Sequence, residues 1–176
     1  GTPTVDTPLP PLDISDRGEL TLSDDKFSYV PWRSDDHQGK VHVIQYIGAT
    51  MKDSELFRPF TDLLEKNFEP GLIKVTSVIN LDAAIWGSTG FVLAELEKNK
   101  RLYPQATMVV DDKGAGITTW DLGEAGTGLI ITDAQGTVKY FTRQSMNDDD
   151  MATALALVQA SAGVQGSAGV QANAGN

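Results

Sequence analysis

Apolar residues crowd the stretch from Lys40 to Ile47. Val41, Val43, Ile44 and Ile47 are β-branched, and the run predicts a buried strand over Lys40–Ile47. The period then changes. Leu56, Phe57, Phe60, Leu63, Leu64 and Phe68 recur at helical spacing, with Ser54 as the expected N-cap, Glu55 in the first turn and Pro70-Gly71 as the stop. Ile73–Ile79 returns to strand character. A strand, a helix and a strand in that order imply a right-handed parallel crossover. A second helix, capped by Ser88 or Thr89, is expected from Gly90 to about Lys100, with Lys98, Lys100 and Arg101 at its negative end. Thr107–Val110 reads as a third strand, turned by Asp112-Lys113-Gly114. Leu129–Thr132 and Val138–Phe141 flank the turn Asp133–Gly136 and predict a hairpin. Asn147 caps a last helix whose positive end carries Asp148, Asp149 and Asp150, and Met151, Leu155 and Val158 are expected to face inward.

The two ends read differently. Residues 1–12 hold Pro3, Pro8, Pro10 and Pro11, a density that favours an extended leader. Asp16-Arg17-Gly18 separates two short alternating runs and predicts an N-terminal β-hairpin. The aromatic FSYVPW, residues 27–32, is expected to cover one edge of a sheet. Residues 161–176 repeat SAGVQ at a six-residue interval, with neither charge nor aromatic, and are expected to be a disordered tail. One folded domain over 13–160 remains.

Charge removes several function classes. The chain of 176 residues carries 24 acidic and 14 basic side chains, a formal charge of −10. That disfavours nucleic acid, which needs a cationic surface, and disfavours anionic lipid. No apolar run approaches the roughly 18 residues of a membrane span. There is no cysteine, so disulfides, thiolate metal sites and thiol nucleophiles do not arise in this chain. The opening Gly1-Thr2-Pro3 fits a mature start after a removed signal peptide, or a cloning remnant.

The element order, an N-terminal hairpin followed by β, α, β, α, a β-hairpin and α, resembles the thioredoxin fold in its peroxiredoxin-like and TlpA-like form. The class expected is α/β, a central mixed sheet flanked by helices. Thr50-Met51-Lys52-Asp53-Ser54-Glu55-Leu56-Phe57-Arg58-Pro59 has the spacing of the thioredoxin W-C-x-x-C-K-x-x-x-P segment. Met51 falls on the first cysteine, Ser54 on the second, and Pro59 on the proline that kinks the helix. VVDDKGAGITTWDL resembles the D-x-D-G segment of peroxiredoxin-like chains. GTGLIITDAQGTVKYF resembles their final hairpin and puts Thr127 where a cis-proline is usual. Over roughly residues 9–160 the chain also resembles the YtfJ family of bacterial envelope proteins, through DRGEL, FSYVPW, GKVHVIQYI, NLDAAIWGSTGFV, LEKNKRLYPQ and VVDDKG. That resemblance implies a thioredoxin-like fold, a redox position poor in cysteine and export to the periplasm with a cleaved signal.

Thiol–disulfide exchange needs a thiolate. Met51 has no ionisable proton and Ser54 only an alcohol, so disulfide oxidoreductase and peroxidase activity are excluded for this chain alone. A serine nucleophile needs a histidine and a carboxylate. The histidines are His37, in a polar loop with Asp35 and Asp36, and His42, inside the first strand and read as a satisfied polar group. Neither Asp111-Asp112 nor Asp148–Asp150 has the spacing of a Ca²⁺ loop, and no phosphate-loop lysine follows Gly123, Gly126 and Gly128. No cofactor, no metal and no catalytic residue is assigned. What remains is the surface beyond the strand ends, where α/β folds hold ligands. The candidate binding face comprises Ala49, Thr50, Met51, Lys52, Asp53, Ser54, Asp82, Trp86, Gly126 and Thr127. Trp86 is either a lid over the core or an exposed contact. The function expected is a monomeric, non-catalytic module binding an unknown protein or peptide there. The alternatives are an enzyme using Ser54, Thr50 and nearby carboxylates, and a competitor of envelope thiol oxidoreductases.

Overall fold

The computed structural model describes residues 1–37 and 39–163. Seven strands form one mixed sheet: β1 (Asp13–Ser23), β2 (Lys26–Arg33), β3 (His42–Gly48), β4 (Lys74–Asn80), β5 (Thr107–Asp111), β6 (Gly128–Thr132) and β7 (Val138–Thr142). Their order across the sheet is β2-β1-β5-β4-β3-β6-β7. The centre, β3, β4 and β5, is parallel, and the flanking pairs are antiparallel. Helices α1 (Met51–Ser54), α2 (Arg58–Asn67), α3 (Thr89–Leu102), α4 (Ala115–Thr119) and α5 (Asp148–Ala162) complete the domain. The expected α/β class and mixed sheet are what the chain adopts.

Strand β3 is buried on both faces, as the central strand of a covered sheet must be. Val43 and Ile47 meet Phe57, Phe60 and Leu64 from the α2 side, with Ala154 and Val158 of α5. Ile44 and Tyr46 point the other way, into a second core with Trp32, Val78, Val109 and Trp120. The leader is tied down on this second side. Trp120 donates its indole N–H to the Pro10 carbonyl at 2.8 Å. The Asp6 N–H donates to the Val138 carbonyl at 2.8 Å, and the Val138 N–H donates to the Thr7 carbonyl at 2.9 Å.

Four local expectations need correction. Asp16-Arg17-Gly18 is no hairpin turn. It lies within β1 at a register shift between Ile14 and Glu19. Gly18 has φ +89°, and a Cβ there would meet the Val30 carbonyl oxygen at 2.1 Å, so the glycine serves a bulge. The hairpin turns instead at Asp24-Asp25, both left-handed (φ 51° and 63°), a conformation that short acidic side chains tolerate. Ser54 caps nothing: the N-cap of α1 is Thr50, whose hydroxyl accepts the Asp53 N–H at 3.2 Å. The helix through Pro59 is broken, not kinked. Two helices replace it, and Pro59 stands in the first turn of α2, where its missing N–H costs nothing. Helix α5 continues to Ala162, past the expected boundary at 160, and ends on left-handed Gly163 (φ 71°). Beyond residue 163 the expected tail lies outside the described residues.

Candidate functional site

Register brings the candidate segments to one end of the sheet. Gly48 pairs with Asn80, Asn80 with Asp111, and Tyr46 with Gly128. The chain therefore leaves β3, β4 and β5 side by side and enters β6 at the same end. Gly48 lets two of these exits touch: a Cβ on it would lie 2.7 Å from Asp53 Oδ2 and 3.0 Å from the Ala83 Cβ.

Side-chain and backbone bonds fix the exits. Gly48 donates its N–H to Asp53 Oδ2 at 3.0 Å, while Asp53 donates its own N–H to Thr50. Ala49 donates to the Asn80 carbonyl at 3.1 Å, and Asn80 Oδ1 accepts the Asp82 N–H at 3.0 Å. Ser54 is committed to the Met51 carbonyl, at 2.7 Å. Thr127 is buried, and its hydroxyl donates to the Arg143 carbonyl at 2.8 Å. Gly126, also buried, approaches Ile117. These two shape the turn; they are not surface groups.

Beneath lies a polar knot that sequence reading missed. Asp111, 2% exposed, accepts the Tyr46 hydroxyl at 2.6 Å and the N–H groups of Ala115 and Gly116 at 3.0 and 2.9 Å. Burial, then the Asp111 carboxylate, raises the Tyr46 hydroxyl far above its ordinary pKa, so it stays a donor. The knot holds α4, whose Gly116 lies flat on the Tyr46 ring; a Cβ there would come within 2.2 Å. A short signal existed, an acid three residues before Gly114 at a strand end. The strand expected over Thr107–Val110 stops one residue short of it, whereas β5 runs to Asp111.

Above the knot, apolar side chains stand in solvent. Met51 is 84% exposed and Trp86 98%. Ile85 and Phe91 are exposed with them. Trp86 is thus exposed to solvent and is no lid over the core. Ser88 donates its N–H to the Ile85 carbonyl, and Gly87 has φ +83°, so a tight turn presents the indole. Lys52 and Asp82 are exposed beside them.

The histidines lie elsewhere. His42 opens β3 and Gly48 closes it, roughly 20 Å apart at about 3.3 Å per residue. His37 packs against Gly136 in the β6–β7 turn, also at the far end. No described histidine can relay a proton to Ser54 or Thr50 at hydrogen-bond range. His42 is satisfied only in part: its Nε2 meets the Thr76 hydroxyl at 2.7 Å, and its Nδ1 has no partner among the described residues. Among the described residues no cluster of acids and histidines is placed to hold a metal, and no helix is long and apolar enough to cross a membrane.

A mixed sheet with this order, crossovers and terminal helix defines a thioredoxin-like protein, here without any cysteine. Similar folds are known. A secreted thiol-disulfide isomerase from Corynebacterium glutamicum superposes with a TM-score of 0.54 at 14% identity, covering 86% of this chain and 85% of that one. The exposed lipoprotein thioredoxin Etrx1 of Streptococcus pneumoniae gives 0.51 at 20%, covering 78% and 96%. Residues 4–161 match the family described as bacterial protein of unknown function, YtfJ_HI0045, and the chain belongs to it. The uncharacterized protein YtfJ of Escherichia coli K12 is 33% identical over 152 residues, 86% of this chain and 83% of that protein. An uncharacterized Haemophilus influenzae protein is 31% identical over 151 residues, 85% and 82%.

Proposed function

We propose that this chain is an exported, non-catalytic thioredoxin-like module that binds a protein or peptide on the face built by residues 48–54 and 80–88. The 126–127 turn supports that face from below. The observation that carries the reading is the exposure of Trp86 and Met51 on neighbouring strand exits. Large apolar side chains held in solvent cost hydration and gain nothing for the fold, whereas tryptophan is enriched among residues that dominate binding. The bonds around Thr50, Asp53 and Asn80 support it further, because a rigid platform loses little entropy on association. No cofactor is required.

Export agrees with two structural neighbours, a secreted thiol-disulfide isomerase and an exposed lipoprotein thioredoxin. An enzyme built on Ser54 lacks support: its hydroxyl is bonded to Met51, and both histidines lie at the other end of the sheet.

The test is photo-crosslinking in bacterial cells from position 51, with exposed position 98 as control. A discrete adduct from 51 alone, weakened by Trp86→Ala, is the expected outcome. No adduct, or the same smear from both positions, would sink the reading.

A further inference from the structure

A second surface lies on the same side of the sheet as α2, away from the strand exits. Helix α2 and the connection from α3 to β5 stand apart there and leave a groove of about 610 Å³. Ligand pockets commonly measure about 300–1,000 Å³. Its floor is one row across the sheet, Gln45, Ser77 and Met108, in register on β3, β4 and β5. Leu64 of α2 and Phe68 just past its end form one wall, and Leu102, Tyr103 and Pro104 the other. Leu102 and Tyr103 are exposed. The second wall is fixed: the buried Lys100 donates to the Pro104 and Ala106 carbonyls, both at 2.7 Å.

Charge says what the groove wants. Asp62, Glu65 and Glu69 line it, and no lysine or arginine does. None of the three carboxylates enters an ion pair among the described residues. Their placement also opposes the helix dipole. The first turn of α2 holds no acid, yet Glu65 sits in its last turn and Glu69 just past its end, where negative charge is disfavoured. Lys66 in the same last turn offsets part of that cost, but it does not line the groove, so the carboxylates facing the groove keep no cation of their own there. Gln45 makes the floor polar at one point: its Nε2 donates to the Ser77 hydroxyl at 2.7 Å, and its Oε1 is enclosed with no hydrogen-bond partner among the described residues.

We propose that this groove binds an extended segment of a partner protein in which arginine or lysine alternates with apolar residues. The apolar side chains cover Met108, Val75 and Phe68, and the cations meet Asp62, Glu65 and Glu69. A guanidinium passing Tyr103 gains a ring contact as well. A bare polyamine is a poorer occupant, because it would lose hydration over an apolar floor without covering it. This site is independent of the Trp86 face, since it lies along Ile73–Ser77 and not beyond Asn80.

The experiment is an NMR titration of the ¹⁵N-labelled 176-residue chain with a capped heptapeptide alternating leucine and arginine. Amides of Gln45, Ser77, Tyr103 and Met108 should shift, and those of Met51 and Trp86 should not. Glu65→Lys with Glu69→Lys should weaken binding by about tenfold or more, because both side chains are exposed and their charges are reversed. Tyr103→Ala should weaken it from the opposite wall, and Met51→Asp should leave it unchanged. The proposal is overturned if no groove amide moves at millimolar peptide, or if a glutamate-for-arginine peptide binds as well. Spermidine binding as tightly as the peptide, or charge reversal without effect, would overturn it equally.

Discussion

Asp111 shows how much one buried side chain organises. Its carboxylate answers the Tyr46 hydroxyl and the first N–H groups of α4. Removing it leaves those donors enclosed, each at about 1–3 kcal/mol. Asp111→Ala should therefore lower the stability measured by urea unfolding by several times about 1 kcal/mol. Tyr46→Phe removes one donor and leaves the carboxylate its backbone partners, so it should cost only about 1–2 kcal/mol. Equal losses for both variants would contradict the knot. His42 is the other buried group with a measurable signature. Burial, helped by Lys74 and His37, holds its pKa down to about 3 from 6.5. Above about pH 6.5 neither the folded nor the unfolded chain protonates it, and its contribution to stability is intact. Between 6.5 and about 3 the unfolded chain takes up the proton and the native one does not. Stability should fall across that window by roughly 1 kcal/mol per pH unit. In His42→Gln the slope between pH 6.5 and 4.5 should shrink by that amount; an unchanged slope would assign acid sensitivity to the carboxylates.

At the scale of elements, the break between α1 and α2 and the seating of α4 decide the shape of the candidate face. Pro59 occupies the first helical turn, so Pro59→Ala should change stability by less than about 1 kcal/mol and leave the helical circular dichroism as it was. A proline inside a continuous helix would behave differently, since its removal would restore a backbone hydrogen bond. Gly116→Ala drives a methyl group into the Tyr46 ring. Overpacking of this kind costs about 1–3 kcal/mol, and thermal unfolding should record it as a lowered midpoint. Gly114 is held beside the Asn80 side chain, with φ +69°, so the same end of the sheet is sensitive at two glycines.

For the whole molecule, two surfaces stand out on one fold that has no thiol. One is the exposed Met51 and Trp86 beyond the strand exits, the other the acidic groove between α2 and the α3–β5 connection. The first lies beyond the strand ends and the second along Ile73–Ser77. Much of this architecture was legible in the residues themselves. The β-branched run at 41–47, the helical spacing from Leu56 to Phe68 and the final hairpin announce themselves, because each follows from the spacing of apolar side chains along a short segment. Asn147 with Asp148–Asp150 did the same for α5, whose capping box closes within three residues. Exclusion of thiol chemistry followed from composition alone. Other features depend on residues distant in the chain. Gly18 makes a bulge because Val30 of β2 lies against it, and Asp111 is a buried keystone because Tyr46 and Gly116 are folded onto it. Trp86 read more readily as a lid over the core than as an exposed group, and the turn at Gly87 holds it in solvent instead. The groove had no signal in any one segment, since its floor is a row drawn from β3, β4 and β5. Local pattern thus determined most of the elements and their order, but not the turn at Asp24-Asp25, the break before Pro59 or helix α4. Only the tertiary structure decided which polar groups are buried together, which apolar groups stay in water, and where distant carboxylates line a common cleft, because those depend on contacts between segments and not on spacing within one.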